Sequence, residues 1–142
     1  VWNNEPPEVL PPAEMDFSAF SEARDRLCTY DSKYNSGSVH YEKIETLIPA
    51  PLDKKLLNRL HNKVLKAWKG FGCTDYARFD FRLRGDEFYL LDINPNNDIS
   101  IDTTFAMAAE MTSWTYGQMV KRIVMMAVDR HPELGGKMQT PQ

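Results

Sequence analysis

Long apolar runs are missing from this chain of 142 residues. The longest, Ile123 to Val128, falls far short of the roughly 20 residues a membrane-spanning helix needs, and no basic-then-apolar leader opens the chain. A soluble protein without a membrane partner is expected. Cysteine is scarce: Cys28 and Cys73 form no CxxC pair and no disulfide framework, which suits a reducing, cytoplasmic setting, and both read as buried apolar thiols. Metal-ligand spacing is absent among His40, His61 and His131, which read as surface or capping residues. Positive charge is in deficit, with 17 Lys and Arg against 20 Asp and Glu and a formal net charge of -3. That removes the broad attraction a nucleic-acid binder needs. The seven glycines spell neither G-x-G-x-x-G nor a Walker A loop.

What is present suffices for one modest domain with a real core, since 42% of residues are hydrophobic and 26% charged. The chain starts at Val1 rather than Met, in a stretch holding Pro6, Pro7, Pro11 and Pro12. Residues 1–20 are expected to be an extended arm or edge strand, because each proline removes a backbone donor, and the whole looks cut from something longer. A main lobe over 21–130 and a flexible tail over 131–142 are expected to follow. Asp31 to Ser38 reads as a loop into a strand across Tyr41 to Ile48.

After Pro51, Leu56, Leu57, Leu60, Val64, Ala67 and Trp68 fall on one helical stripe, with Asp53 as N-cap and Gly70 or Gly72 as the stop. Lys55, Arg59, Lys63 and Lys66 collect on another face, expected to be solvated. Thr103 to Met111 reads as a short helix. A second helix starts at a capping box of Thr115 and Gln118, where Trp114 can staple against Met119, and ends near Arg130 ahead of Pro132. Strands and helices together make an α+β fold.

Between the helices, Tyr76 to Leu83 and Phe88 to Asn94 form two β-type runs around Arg84-Gly85-Asp86-Glu87, the pattern of a hairpin. Ala77, Phe79, Phe81 and Leu83 alternate with Arg78, Asp80 and Arg82; Tyr89, Leu91 and Ile93 alternate with Phe88, Leu90, Asp92 and Asn94. Opposed residues share a face, so matching apolar to apolar calls for a three-residue loop over Gly85, Asp86 and Glu87 and excludes a two-residue one. Asp80 then faces Asp92, and Arg78 faces Asn94. Two carboxylates across a ladder destabilise it unless something positive lies between them. Arg78 or Arg82 can serve. A hard divalent cation is the other candidate, because two carboxylates and the Asn94 side-chain oxygen are ligands that Mg²⁺ accepts.

The runs Gly72-Cys73-Thr74-Asp75-Tyr76-Ala77-Arg78-Phe79-Asp80-Phe81 and Phe88-Tyr89-Leu90-Leu91-Asp92-Ile93-Asn94-Pro95 resemble the end of the ATP-grasp domain in D-alanine–D-alanine ligases. The resemblance extends from about Tyr30 to about Val128. It implies the C-terminal part of an ATP-grasp fold, with an antiparallel sheet and packed helices. It implies ATP as the nucleotide and two Mg²⁺ (or Mn²⁺) ions, with Asp80 a ligand of one, Asp92 bridging both and Asn94 a ligand of the second. Arg78 would stabilise charge on an acyl phosphate and on the intermediate formed when an amine attacks it. Tyr30-Asp31-Ser32-Lys33-Tyr34 resembles the segment that presents a lysine to the ATP phosphates, so Lys33 is a phosphate contact. Thr103, with Ser100 and Asp98 before it, matches the place where the acceptor amino acid is held.

The family's glycine-rich phosphate loop and adenine-contacting strand lie before the matched part. The chain is therefore expected to be inactive alone and to need the remainder of the enzyme N-terminal to Val1. Where relatives have Pro-Gly after the metal-binding Asn, this chain has Asn97-Asp98. Asp98 and Asp102 bring negative charge toward the acceptor carboxylate, so D-alanine is expected to be a poor acceptor. A homodimer is compatible with the resemblance. Two rivals remain: another ATP-grasp amino-acid or peptide ligase, such as a glutathione-synthetase type, and a non-catalytic module whose acidic hairpin holds Ca²⁺ or forms internal ion pairs.

Overall fold

The computed structural model describes residues 1–29 and 35–135. It forms two compact units: Pro12–Pro51, and Val1–Pro11 together with the residues from Leu52 onward. The boundary expected at residue 20 coincides with neither. Lys33, and the expected tail from residue 136 on, lie outside the described residues.

In the smaller unit, β1 (Glu14–Asp16) and β2 (Glu45–Leu47) pair antiparallel with Met15 opposite Thr46. The Ala50 N–H donates to the Pro12 carbonyl at 2.7 Å and closes the neck of the excursion. The strand expected from Tyr41 begins only at Glu45. The Ser38 hydroxyl accepts the Tyr41 N–H at 3.1 Å and so caps a short helix, α1 (Val39–Lys43). The His40 ring stacks on the buried Phe20, centroids 4.8 Å apart. Cys28, expected inside, is exposed, and Cys73 in the larger unit is only partly buried.

The larger unit is built on α2 (Lys54–Gly70), capped by Asp53, whose carboxylate accepts the Leu56 N–H at 2.7 Å. Its stripe of Leu60, Val64 and Trp68 is buried as the periodicity requires. Leu60 and Val64 pack with Phe88, flanked by Val9, Phe79 and Phe81. The basic face of α2 is not simply solvated. Lys55 reaches Asp86 at 3.0 Å, Arg59 the Asp86 carbonyl at 2.9 Å, and Lys63 both Glu87 at 3.2 Å and the Phe88 carbonyl at 3.0 Å. The i, i+4 spacing lays these cations in a row beside the acidic turn of the hairpin.

That hairpin consists of β3 (Arg78–Arg84) and β4 (Glu87–Asn94), and its register corrects the expected one. Arg84 pairs with Glu87, Leu83 with Phe88 and Phe81 with Leu90, so the turn is the two-residue Gly85-Asp86 that the alternation argument excluded. Gly85, at φ 58, supplies the positive φ that short hairpin turns demand. A shift between Asp80 and Phe81 then inserts one extra residue, Leu91, and beyond it Asp80 faces Asp92 and Arg78 faces Asn94, as expected. An unbroken period of two would require the three-residue loop; the bulge resets that period. Phe88 thus enters the core in place of Tyr89 and Leu91, which are exposed.

After the hairpin come α3 (Thr104–Met111), capped by Thr103, and α4 (Tyr116–Arg130), opened by the expected capping box of Thr115 and Gln118. Trp114 packs edge-on against Trp2, ring centroids 4.9 Å apart, and Trp2 also meets Phe105 at 6.3 Å. Trp2 is buried and bridges Tyr76 at the entrance to β3. The first residues are therefore an integral part of this unit.

Candidate functional site: an acidic hairpin face

At the end of the hairpin far from its turn, the pairs Asp80–Asp92 and Arg78–Asn94 share one face of the ladder, with Phe79–Ile93 between them on the other. Arg78 folds back along its own strand, and its Nε and a terminal nitrogen donate to the two Asp80 carboxylate oxygens at 2.8 and 3.0 Å. One of the two counter-charges raised by the sequence is thus present, engaging two of the five N–H donors a guanidinium carries. Among the described residues, no hydrogen bond or ion pair reaches the exposed Asp92 carboxylate. The Asn94 side-chain oxygen accepts the Asn96 N–H at 2.9 Å, turning the chain away from the sheet.

The segment after Asn94 is organised by its own side chains. The Asp98 carboxylate accepts both the Ser100 N–H, at 2.8 Å, and the Ser100 hydroxyl, at 2.6 Å. These bonds from the Ser100 hydroxyl and amide hold the Asp98 carboxyl below its ordinary pKa. The Thr103 hydroxyl donates to the Ser100 carbonyl at 2.7 Å and accepts the Ala106 N–H as the α3 cap. Asn97 is buried, and its Nδ2 donates to the Asp98 carbonyl at 3.1 Å. The hairpin brings together Arg78, Asp80, Asp92 and Asn94. Asp98, Ser100 and Thr103 form a second linked cluster at the start of α3.

Sequence reading missed a third set. Asp75, in the turn before β3, takes Arg130 and Asn4 as partners, while Arg122 donates to the Asn3 side chain. The only trace in the sequence is a pair of arginines eight positions apart on one helix. Among the described residues there is no cluster of three or more His, Cys, Asp or Glu that could hold a metal ion.

An antiparallel hairpin packed on a helix, with two carboxylates, a carboxamide and an arginine on one face, fits an α+β lobe of the ATP-grasp kind. A family model described as "D-ala D-ala ligase C-terminus" matches residues 1–125, and the chain belongs to that family. It is 28% identical over 130 residues to a D-alanine–D-alanine ligase of Desulforudis audaxviator, covering 92% of this chain and 39% of the relative. It is 30% identical over 95 residues to one of Syntrophotalea carbinolica, covering 67% of this chain and 30% of the relative. Among solved structures, the D-alanine–D-alanine ligase of Bacillus anthracis complexed with ATP superposes with a TM-score of 0.57 at 17% identity, over 63% of this chain and 31% of that one. This likeness bears out the expected fold. The chain spans well under half the length of the curated relatives it matches.

Proposed function

We propose that this chain is the C-terminal catalytic part of an ATP-dependent carboxylate–amine ligase, cytoplasmic and inactive without the remainder of the enzyme. The observation that carries the reading is the facing of Asp80 and Asp92, with Asn94 and Arg78 two pairs along the ladder on the same face. Like charges directly opposed weaken a strand pair, and Arg78 offsets only one of them. An all-oxygen set of this kind fits Mg²⁺ or Mn²⁺, which complete their shells with phosphate and water. Asp80, Asp92 and Asn94 would hold the ions, which when bound neutralise charge on the phosphoryl group in flight.

The chain's own residues do the rest by position and charge. Arg78 keeps donors free beyond those given to Asp80, and these would meet the acyl phosphate and the oxyanion formed as the amine attacks. Lys33 would contact the ATP phosphates. At the acceptor site, the Ser100 N–H and hydroxyl and the Thr103 hydroxyl are already committed to partners within the segment. Few donors remain there for a carboxylate, and Asp98 adds negative charge. D-alanine is therefore a poor acceptor in this reading, and an amine lacking a carboxylate there, or carrying a cation, is preferred. Amino-acid or peptide substrates and the rest of the ligase are the partners, with neither nucleic acid nor membrane.

Calorimetric titration of the chain with millimolar Mg²⁺ or Mn²⁺ tests the metal reading. Weak binding that disappears in Asp92→Asn is expected. Identical titrations for the two proteins would leave Arg78–Asp80 as a plain ion pair and remove the site.

A further inference from the structure

Asp75 occupies a left-handed backbone conformation, φ 62, in which glycine is at ease and an aspartate is uncommon. It is also buried, at 8% exposure, and all of its polar groups are used. Its N–H donates to the Asn4 side-chain oxygen at 2.7 Å, and its carbonyl accepts the Asn3 N–H at 2.8 Å. One carboxylate oxygen accepts Asn4 Nδ2 and Arg130 Nε, each at 3.0 Å, and the other accepts a terminal nitrogen of Arg130.

The chain leaving Asp75 has no slack before the hairpin face. Tyr76 bridges Trp2, and the fully buried Ala77 donates its N–H to the Val1 carbonyl at 2.9 Å. Arg78 comes next. Helix α4 holds both parties to this junction, through Arg130 on Asp75 and Arg122 on Asn3. Asp75 and Arg130 also line the same cavity of about 740 Å³ as Asp92. A glycine at position 75 would satisfy the backbone at no steric cost. What the carboxylate adds is the tie to Asn4 and Arg130.

We propose that Asp75 is a positioning residue for the hairpin face: by tying the entrance of β3 to α4 and to the first residues of the chain, it sets where Arg78 and Asp80 stand against Asp92 and Asn94. This rests on the metal-binding reading above. Residues that orient ligands without touching the metal change affinity on the order of tenfold or more when lost.

The test is Mn²⁺ binding to the 142-residue chain, read from the electron paramagnetic resonance signal of the free ion, with circular dichroism to confirm folding. Asp75→Gly, which keeps the backbone conformation and removes the ties, is expected to weaken Mn²⁺ binding on the order of tenfold, and Arg130→Lys to weaken it less. The Arg78 and Asp80 amide resonances should shift in metal-free Asp75→Gly. If Asp75→Gly does not fold, Asp75→Asn, which replaces the ion pair with a neutral hydrogen bond, takes its place with the same expected direction. A folded variant that binds Mn²⁺ as the parent does, while Asp92→Asn does not bind, overturns the positioning role alone. If Asp92→Asn also binds like the parent, the metal reading has failed and the positioning role falls with it.

Discussion

The two ends of the β3–β4 hairpin carry similar numbers of acidic groups and treat them in opposite ways. At the turn, Asp86 and Glu87 are met by Lys55, Arg59 and Lys63 from α2, so every carboxylate has a cation from a neighbouring element. At the far end, Asp80 and Asp92 face each other, and among the described residues the one cation in contact, Arg78, comes from the same strand and engages Asp80 alone. The helix supplies three cations to the turn and, among the described residues, none to the far end. Burial does not distinguish the ends, because both sets of carboxylates are substantially exposed. The contrast is one of partners, and it makes the far end the place where an external cation does most.

The largest effect expected concerns the packing on which both ends depend. Phe88 packs in one core cluster with Leu60 and Val64, and Phe88→Ala should cost about 3–5 kcal/mol, read as a lower midpoint in urea denaturation. A loss below about 1 kcal/mol would mean that the hairpin is not held to α2 through this contact. Next in size, Asp80→Asn in the complete ligase should lower turnover on the order of a hundredfold or more by removing charge compensation, with the denaturation midpoint kept. Retained turnover would make the two ends equivalent after all.

Smaller again is the acceptor. Asp98→Gly frees the Ser100 donors and removes a charge, and should raise phosphate release with D-alanine on the order of tenfold, given a few tenths to several kcal/mol for such a charge. Fast D-alanyl-D-alanine formation by the unaltered ligase would contradict the reading.

The smallest effects separate the ends by sign. In the metal-free chain, Asp92→Asn relieves a like-charge pair and should raise stability by roughly 0.5 kcal/mol. Asp86→Asn removes ion pairs and should lower stability slightly. The bond to Lys55 and the nearby charges of Lys55 and Arg59 hold the Asp86 carboxyl below its ordinary pKa. Its contribution is therefore complete above the ordinary carboxylate range and lost as pH falls through the depressed folded-state value, below about pH 4. Thermal unfolding at falling pH should show a drop in midpoint that is smaller in Asp86→Asn. Equal pH profiles would show that the turn-end pairs do nothing for stability.

Much of this was legible in the sequence because it rests on local rules. Asp53 and Thr115 cap the helices they were expected to cap, and the stripe of Leu60, Val64 and Trp68 is buried. The facing of Asp80 with Asp92 follows from alternation, whereas the turn at the other end of the hairpin does not, because a bulge leaves no mark in a pattern of period two. Ser38 gives no N-cap signal in the sequence, since five helical residues with no apolar stripe leave periodicity nothing to detect. The Asp75–Arg130 pair joins positions 55 apart in sequence, and no local rule connects them.

The extra residue at Leu91 gives β4 an unusual tolerance. Phe88 and Leu90 oppose apolar partners on one side of it, and Asp92 and Asn94 oppose polar partners on the other. If Leu91 were removed, the remaining order of Phe88, Tyr89, Leu90, Asp92, Ile93 and Asn94 would alternate without interruption, and each residue would keep its cross-strand partner. Elsewhere in a strand a one-residue deletion turns one half inside out. Here it would spare the inside and outside of both halves and change only the local bend and twist, so the length of β4 and the aim of Asp92 can vary together while the core stays as it is.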